Sequence, residues 1–349
     1  MHVPDGFLDA PTSVATAAVA GAAVAVSLRK ARGELDERAA PLAGLTAAFV
    51  FAVQMLNFPV GIGTSGHLMG GALAAVLVGP WTAVLVLSVV LAVQALLFAD
   101  GGITALGSNI VLIGLGTVAV GWTVTKLVLA LLPRRPASVV PAAFVGALLS
   151  VPAAALVFVG LYAVGGAADL PLRALTATMV GWHVLIGLGE AVITALMVGA
   201  VVAVRPDLVH TARDRRPVLE LRGADGRVPD HEPTEPDASP DARRRTAGLM
   251  AVGLAVALLL AGVASFFASG SPDGLEYVAE ERGFLDTARD HAFGDLPLAD
   301  YGDVGGIPVG LAGLLGIAAT VLVGWLVFRL VASRRPDRPA APSDDRERV

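Results

Sequence analysis

The chain has 349 residues, 55% of them hydrophobic and 16% charged, with a formal net charge of -5 and a mean hydropathy of +0.72. Apolar runs this long and numerous exclude an ordinary soluble domain, which would need amphipathic surface helices that are not found here, and indicate an all-α polytopic membrane protein. The absence of Cys excludes disulfides, thiolate metal sites and cysteine nucleophiles, so a metal would have to be held by nitrogen or oxygen.

The first six residues are Met1-His2-Val3-Pro4-Asp5-Gly6, and the first Lys or Arg is Arg29. A cleaved secretory signal would begin with positive charge, so Met1 is expected to stay in place and carry a free amine. Apolar runs bounded by charge, Pro or Gly then predict spans near 11–28, 41–58, 67–79, 81–98, 105–132, 138–165, 174–204, 246–269 and 307–331. Residues 67–98 form one run, too long for a single span of about 20 residues and short for two, with Gly79-Pro80 placed to break it. Charge decides between the options. With nine crossings and the N-terminus outside, 21 of the 25 Lys and Arg fall in inner segments or, for Arg329, at the inner end of the last span, as the positive-inside rule requires. A single crossing over 67–98 would move Arg134, Arg135 and the Arg-rich 205–245 segment outside. The expected architecture is therefore a seven-helix bundle over 1–204, a disordered cytoplasmic linker over 205–245 and a two-helix module over 246–331. That module has an acidic outer loop at 270–306, and a disordered cytoplasmic tail over 332–349 follows it. The C-terminus is inside, and the protein belongs in the cell membrane as a multi-pass protein.

This topology places Met1, His2 and the loop Gly61-Ile62-Gly63-Thr64-Ser65-Gly66-His67 on the same, outer side. Two outer segments share a turn signal, Pro4-Asp5-Gly6 and Pro272-Asp273-Gly274. Polar residues in or beside the spans are the functional candidates, because each is costly in hydrocarbon unless paired or solvated. Asn57 ends the second span. Gln94, Asp100, Ser108 and Asn109 gather at the outer side of the fourth and fifth. His183 and Glu190, seven residues apart, share one face of the seventh. An interhelical hydrogen bond within the bundle explains the last pair as well as a direct role with an ion.

The Met1 amine, the His2 amide and the His2 ring form fused chelate rings around one divalent cation, and His67 adds a fourth nitrogen. Such a nearly planar nitrogen set suits Ni(II) or Cu(II), accepts Co(II), and disfavours Mg and Ca. The histidines must be neutral and the amide deprotonated, so binding should weaken in mild acid.

These residues resemble the CbiM/NikM family. The resemblance is carried by Met1-His2-Val3-Pro4-Asp5-Gly6, Gly63-Thr64-Ser65-Gly66-His67-Leu68, the stretch QALLFADGGITALGSN from Gln94 to Asn109, and HVLIGLGE from His183 to Glu190. Members are the cobalt/nickel substrate-binding membrane components of energy-coupling-factor ABC importers. The resemblance covers about residues 1–204; the segment from about 246 to 331, with Pro272-Asp273-Gly274-Leu275-Glu276, resembles the PDGLE module of the accessory CbiN/NikN-type subunit. The outer loop near Asp300-Tyr301 lacks the longer Pro-rich pattern of that subunit. The resemblance implies that Met1, His2 and His67 hold the transported ion, Ni2+ or Co2+. Asn57, Ser65, Gln94, Asn109, His183 and Glu190 are left to orient the ligands or line the ion's route. It implies a coupling transmembrane subunit (CbiQ/NikQ-like) and cytoplasmic ATPase subunits (CbiO/NikO-like) as partners, the bilayer as surroundings, no nucleic acid and no resident cofactor. No G-x-x-x-x-G-K-[ST] pattern occurs in the chain, so ATP hydrolysis is expected in the partners and not in this transporter subunit.

Two rival readings differ in class. Gly63-Thr64-Ser65-Gly66 matches the G-x-S-G pattern of rhomboid-like intramembrane serine proteases, with Ser65 as nucleophile and His183 as base, but this leaves Met1-His2 unexplained. A stand-alone divalent metal channel or transporter would take up the same ions without an ATPase.

Overall fold

The computed structural model describes residues 1–35, 39–215, 240–299 and 307–333. In chain order its elements are helices α1 (Ala10–Lys30) and α2 (Ala39–Gln54), strands β1 (Phe58–Gly61) and β2 (Thr64–Gly66), and helices α3 (Gly71–Val78) and α4 (Pro80–Leu97). Helix α5 (Leu106–Asn109) runs through a π-helical stretch, Ile110–Gly116, into α6 (Thr117–Leu131). Helices α7 (Val139–Gly165), α8 (Leu172–Val204), α9 (Pro240–Gly262), α10 (Gly274–Arg282) and α11 (Val309–Ser333) complete the chain.

Among the described residues, seven helical stretches are long and apolar enough to cross a bilayer: Ala10–Gly33, Pro80–Leu97, Leu106–Leu131, Pro136–Gly165, Leu172–Val204, Arg244–Gly262 and Val309–Val331. The protein is thus a mostly helical polytopic membrane protein. In α8 the buried residues Leu175, Met179, His183, Ile186, Glu190, Thr194, Val198 and Val201 recur at spacings of three and four, the stripe that packs on the bundle. Its remaining faces expose Leu185, Leu188, Val192 and Leu196, apolar surface that hydrocarbon solvates without cost.

The region after α2 departs from the expected third span. The loop from Gly61 to His67 contains a turn closed by an antiparallel hairpin, with Phe58 opposite Gly66 and Pro59 opposite Ser65. Helix α3 starts only at Gly71 and has eight residues, about 12 Å of helix against the roughly 30 Å of a hydrocarbon core. Gly70, in the left-handed region at φ 83°, turns the chain from the hairpin into α3. The predicted break at Gly79-Pro80 is present: α4 begins at Pro80. Across that break Glu34 accepts the N–H of Thr82 at 2.7 Å and of Trp81 at 3.3 Å, filling the first turn of α4, whose helix could not otherwise satisfy those donors.

Residues 205–215, expected as the start of the linker, pack on the end of α3. Leu208 and Val209 are buried, and the N–H groups of His210 and Thr211 donate to the Leu77 and Val76 carbonyls at 2.9 and 3.3 Å. Helix α9 extends back to Pro240. The middle of the expected linker, Asp300-Tyr301 and the tail from 334 onward lie outside the described residues.

Candidate metal centre

The N-terminal segment is inserted into the bundle and its register is fixed on both sides. Asn109 Oδ1 accepts the Val3 N–H at 2.8 Å, and the Val3 carbonyl accepts from Asn109 Nδ2 at 3.1 Å and from the Gly102 N–H at 2.9 Å. The Asp5 carboxylate accepts the N–H groups of Ile103 and Thr104 at 3.1 and 2.8 Å. Farther along, the Phe7 carbonyl accepts the Ala167 N–H at 3.0 Å, and the Asp9 N–H donates to Gly165 at 2.7 Å. Asp9 then caps α1 by accepting the Thr12 N–H at 2.8 Å. With Val3, Asp5, Phe7 and Asp9 held this way, Met1 and His2 have one place to go. Both Met1, 2% exposed, and Val3 are buried.

That place is beside His67. The Met1 amine is in direct contact with His67 Nε2. His67 Nδ1 lies 3.0 Å from the Leu68 carbonyl, so Nδ1 carries the proton and Nε2 presents its lone pair, the arrangement in which a histidine binds a metal. The two imidazoles stack, with centroids 4.8 Å apart and planes 4° from parallel. His2 Nδ1 donates to Asp100 Oδ1 at 2.9 Å, and its Nε2 is buried with no hydrogen-bond partner. A small chelate ring with the His2 amide closes only through Nδ1, so that chelate requires the ring to turn away from Asp100.

Behind His67 the turn is braced by Glu190 on α8. Its carboxylate accepts the N–H groups of Met69 at 2.6 Å and Gly70 at 3.1 Å, and Gln54 Nε2 donates to the Met69 carbonyl at 2.9 Å. Glu190 therefore grips the backbone that carries His67 rather than reaching the donors themselves.

The C-terminal module closes the site from the other side. The Ser65 N–H donates to the Pro272 carbonyl at 2.9 Å, Ser65 Oγ donates to the Ser271 carbonyl at 2.8 Å, and the Ser269 N–H donates to the Asn57 carbonyl at 2.7 Å. Gly274 lies where a Cβ would stand 2.8 Å from Ile186 Cδ1 and 3.2 Å from His183 Cε1, so glycine lets the segment lie flat on α8 without displacing those side chains. The Arg289 N–H donates to the Asp5 carbonyl at 2.8 Å, and Phe284 meets Phe7 edge-on at 5.1 Å. These contacts set Asp273 Oδ2 2.7 Å from the Met1 amine and 3.6 Å from His67 Nε2. Burial works to raise the Asp273 carboxyl, but the Met1 ammonium and His67 outweigh it and hold the group well below the usual carboxylate range. A cavity of about 300 Å³ adjoins the cluster, lined by His2, His67, Asn57, Asp100, Asp273 and Glu276 among others.

Of the residues singled out from sequence, Met1, His2 and His67 come together, with Asn109 holding the N-terminal strand and Asn57 on the cavity wall. His183 bonds to the Met179 carbonyl at 2.7 Å through Nδ1, and its buried Nε2 has no hydrogen-bond partner. Both side-chain amide atoms of Gln94 are likewise buried without a partner, while its carbonyl accepts the Asp100 N–H at 3.2 Å. No hydrogen bond joins Ser65 to His183 among the described residues; the serine hydroxyl is committed to the Ser271 carbonyl, which removes support for the protease reading. Of the two carboxylates at the centre, Asp100 is singled out from sequence only as one of several polar candidates and Asp273 only as part of a turn. The second carried a sequence signal in the repeated Pro-Asp-Gly turn, and the C-terminal module that bears Asp273 bonds to the turn at Asp5 through the Arg289 N–H. No cluster of three or more His, Asp or Glu side chains with metal-holding spacing occurs among the described residues, so a nitrogen-rich site here depends on the Met1 amine.

Comparison with known proteins places this geometry in context. Residues 2–208 match the CbiM family model, described as the cobalt uptake substrate-specific transmembrane region, and residues 247–333 match the PDGLE domain. The chain is 39% identical over 213 residues to a putative metal transport protein of Haloquadratum walsbyi, covering 60% of this chain and 94% of that one. It is 37% identical over 211 residues to a putative fused nickel transport protein, NikMN, of Archaeoglobus fulgidus, covering 60% and 68%. A solved structure titled as a transition metal transporter superposes with a TM-score of 0.50 at 31% identity, covering 58% of this chain and 92% of that one.

Proposed function

Because the chain belongs to the CbiM family of cobalt uptake transmembrane proteins and carries a PDGLE domain behind that region, we propose that it is the substrate-binding membrane component of an ATP-driven energy-coupling-factor importer for Ni2+ or Co2+. The ion enters from the outer face and is held by the Met1 amine, His2 and His67. The observation that carries this reading is the contact of the Met1 amine with a His67 Nε2 whose ring proton is committed to the Leu68 carbonyl. Loss of one proton from the Met1 ammonium frees both nitrogen lone pairs, and in a buried pocket that a carboxylate also enters these form a donor set suited to a borderline divalent ion. The orientation, N-terminus outside and C-terminus inside, rests on the Arg distribution, and the count of nine spans on reading α2 and α3 as short crossings. A coupling membrane subunit and ATPase subunits supply the energy. His183, Gln94 and Glu190 are buried polar side chains available to line the ion's way inward.

Adding one Gly ahead of Met1 moves the amine by about 3.5 Å and should abolish stoichiometric Ni2+ and Co2+ binding by the purified protein, as should His67→Ala, with helical circular dichroism unchanged. Native affinity in the extended protein would sink the N-terminal site.

A further inference from the structure

Both oxygens of Asp273 have distinct work. Oδ1 accepts the N–H groups of Leu275 at 2.7 Å and Glu276 at 3.0 Å, while the Asp273 N–H donates to Glu276 Oε2 at 3.1 Å. This capping box fixes the carboxylate at the head of α10. Oδ2 takes no part in the cap and is directed at the Met1 amine and His67 Nε2, 2.7 and 3.6 Å away. Two donors that are each about 2.1 Å from one ion stand roughly 3 Å apart when adjacent and about 4.2 Å apart when opposite. Oδ2 is close to the adjacent-donor spacing from the Met1 amine, and its 3.6 Å from His67 Nε2 lies between the adjacent and opposite spacings. The side chain is only 12% exposed, and a buried carboxylate is retained where it has a charged partner.

The segment bearing Asp273 is also held in place independently of any ion. Its flanks bond to Ser65 and Asn57, and Gly274 lies flush against Ile186 and His183. A cap-fixed carboxylate on a docked segment is a preorganised ligand, since its orientation is set before the ion arrives.

We infer that Asp273 is a ligand of the transported ion, an oxygen donor that the C-terminal module contributes alongside the Met1 amine and His67. This rests on the reading that Ni2+ or Co2+ binds at those nitrogens. The module would then do more than accompany the bundle: it would complete the site.

The test uses the full-length purified chain loaded with Co2+. Asp273→Asn is the informative variant, because Asn caps helices as well as Asp does but is a far weaker metal donor. X-ray absorption and the visible spectrum of the Co2+ complex should show the loss of one oxygen donor, and affinity should fall at least about tenfold, with helical content unchanged. An Asp273→Asn complex whose spectrum and affinity equal those of the parent overturns the inference, and with a stability loss in Asp273→Ala it assigns the residue to capping alone. If the parent chain binds no Co2+, or His67→Ala binds like the parent, the underlying Met1 and His67 site fails instead.

Discussion

At the scale of single residues, charge and chemistry singled out some candidates and passed over others. Met1, His2 and His67 could be singled out because an amine and two imidazoles have few roles on one side of an apolar, Cys-free protein. Glu190 could not be assigned, because a carboxylate that grips an ion and one that grips a peptide turn are identical in sequence, and its partners are 121 and 120 residues away. Asp273 carried only the Pro-Asp-Gly turn signal, and nothing local says where that turn docks. The geometry assigns Glu190 to positioning, and this has a measurable consequence. Glu190→Gln keeps one acceptor and turns an NH2 group toward a second N–H, so Co2+ affinity should fall about tenfold or more. Glu190→Ala should in addition lower stability by about 1–3 kcal/mol for each buried N–H left without a partner. Calorimetric titration and thermal unfolding in detergent measure the two effects; wild-type affinity in both variants would mean that the His67 turn holds itself.

Among the secondary-structure elements, the long helices were readable and the short ones were not. Hydropathy and terminal Arg or Pro located α4, α7 and α8 to within a few residues, since lipid demands some 20 apolar residues for each crossing. The stretch from 58 to 78 resists that logic. An apolar run carries no record of depth, and the β1–β2 hairpin gains partners from the Ser271-Pro272 backbone more than 200 residues away. Close helix approach is a second feature that composition only hints at. A Cβ on Gly107 would stand 2.4 Å from Ala17 Cα, a backbone atom that cannot rotate aside. Gly107→Leu should therefore separate α5 from α1, costing about 3 kcal/mol or more. It should also pull Asn109 away from Val3. A lowered melting temperature together with lost Ni2+ binding is the expected result, and unchanged melting would show that α1 is free to shift.

For the whole molecule, the shift of composition at 205–245 falls between the two matched regions, 2–208 and 247–333, but gives no sign of how they fit together. The C-terminal module lies over the site through Ser269 to Asp273 and again through Phe284 and Arg289, while residues 205–215 close the far end against α3. The site is thus enclosed by parts of the chain that no local pattern connects. Its depth follows from α8. Glu190, which holds the His67 turn, comes 18 residues after Leu172 and 14 before Val204, so it is about 21 Å from the inner end of that helix. In the proposed orientation, an ion at His67 has already passed through a substantial part of the membrane's electric field. With about 21 Å of a roughly 30 Å core still ahead, a divalent ion has crossed about a third of a 100 mV potential, about 1.5 kcal/mol, roughly tenfold in affinity. Co2+ binding in vesicles held at an inside-negative diffusion potential should be tighter than at zero potential, and voltage-independent binding would place the site at the surface. In the proposed orientation, the grip of Glu190 on the His67 turn thus makes the membrane potential a contributor to loading the ion.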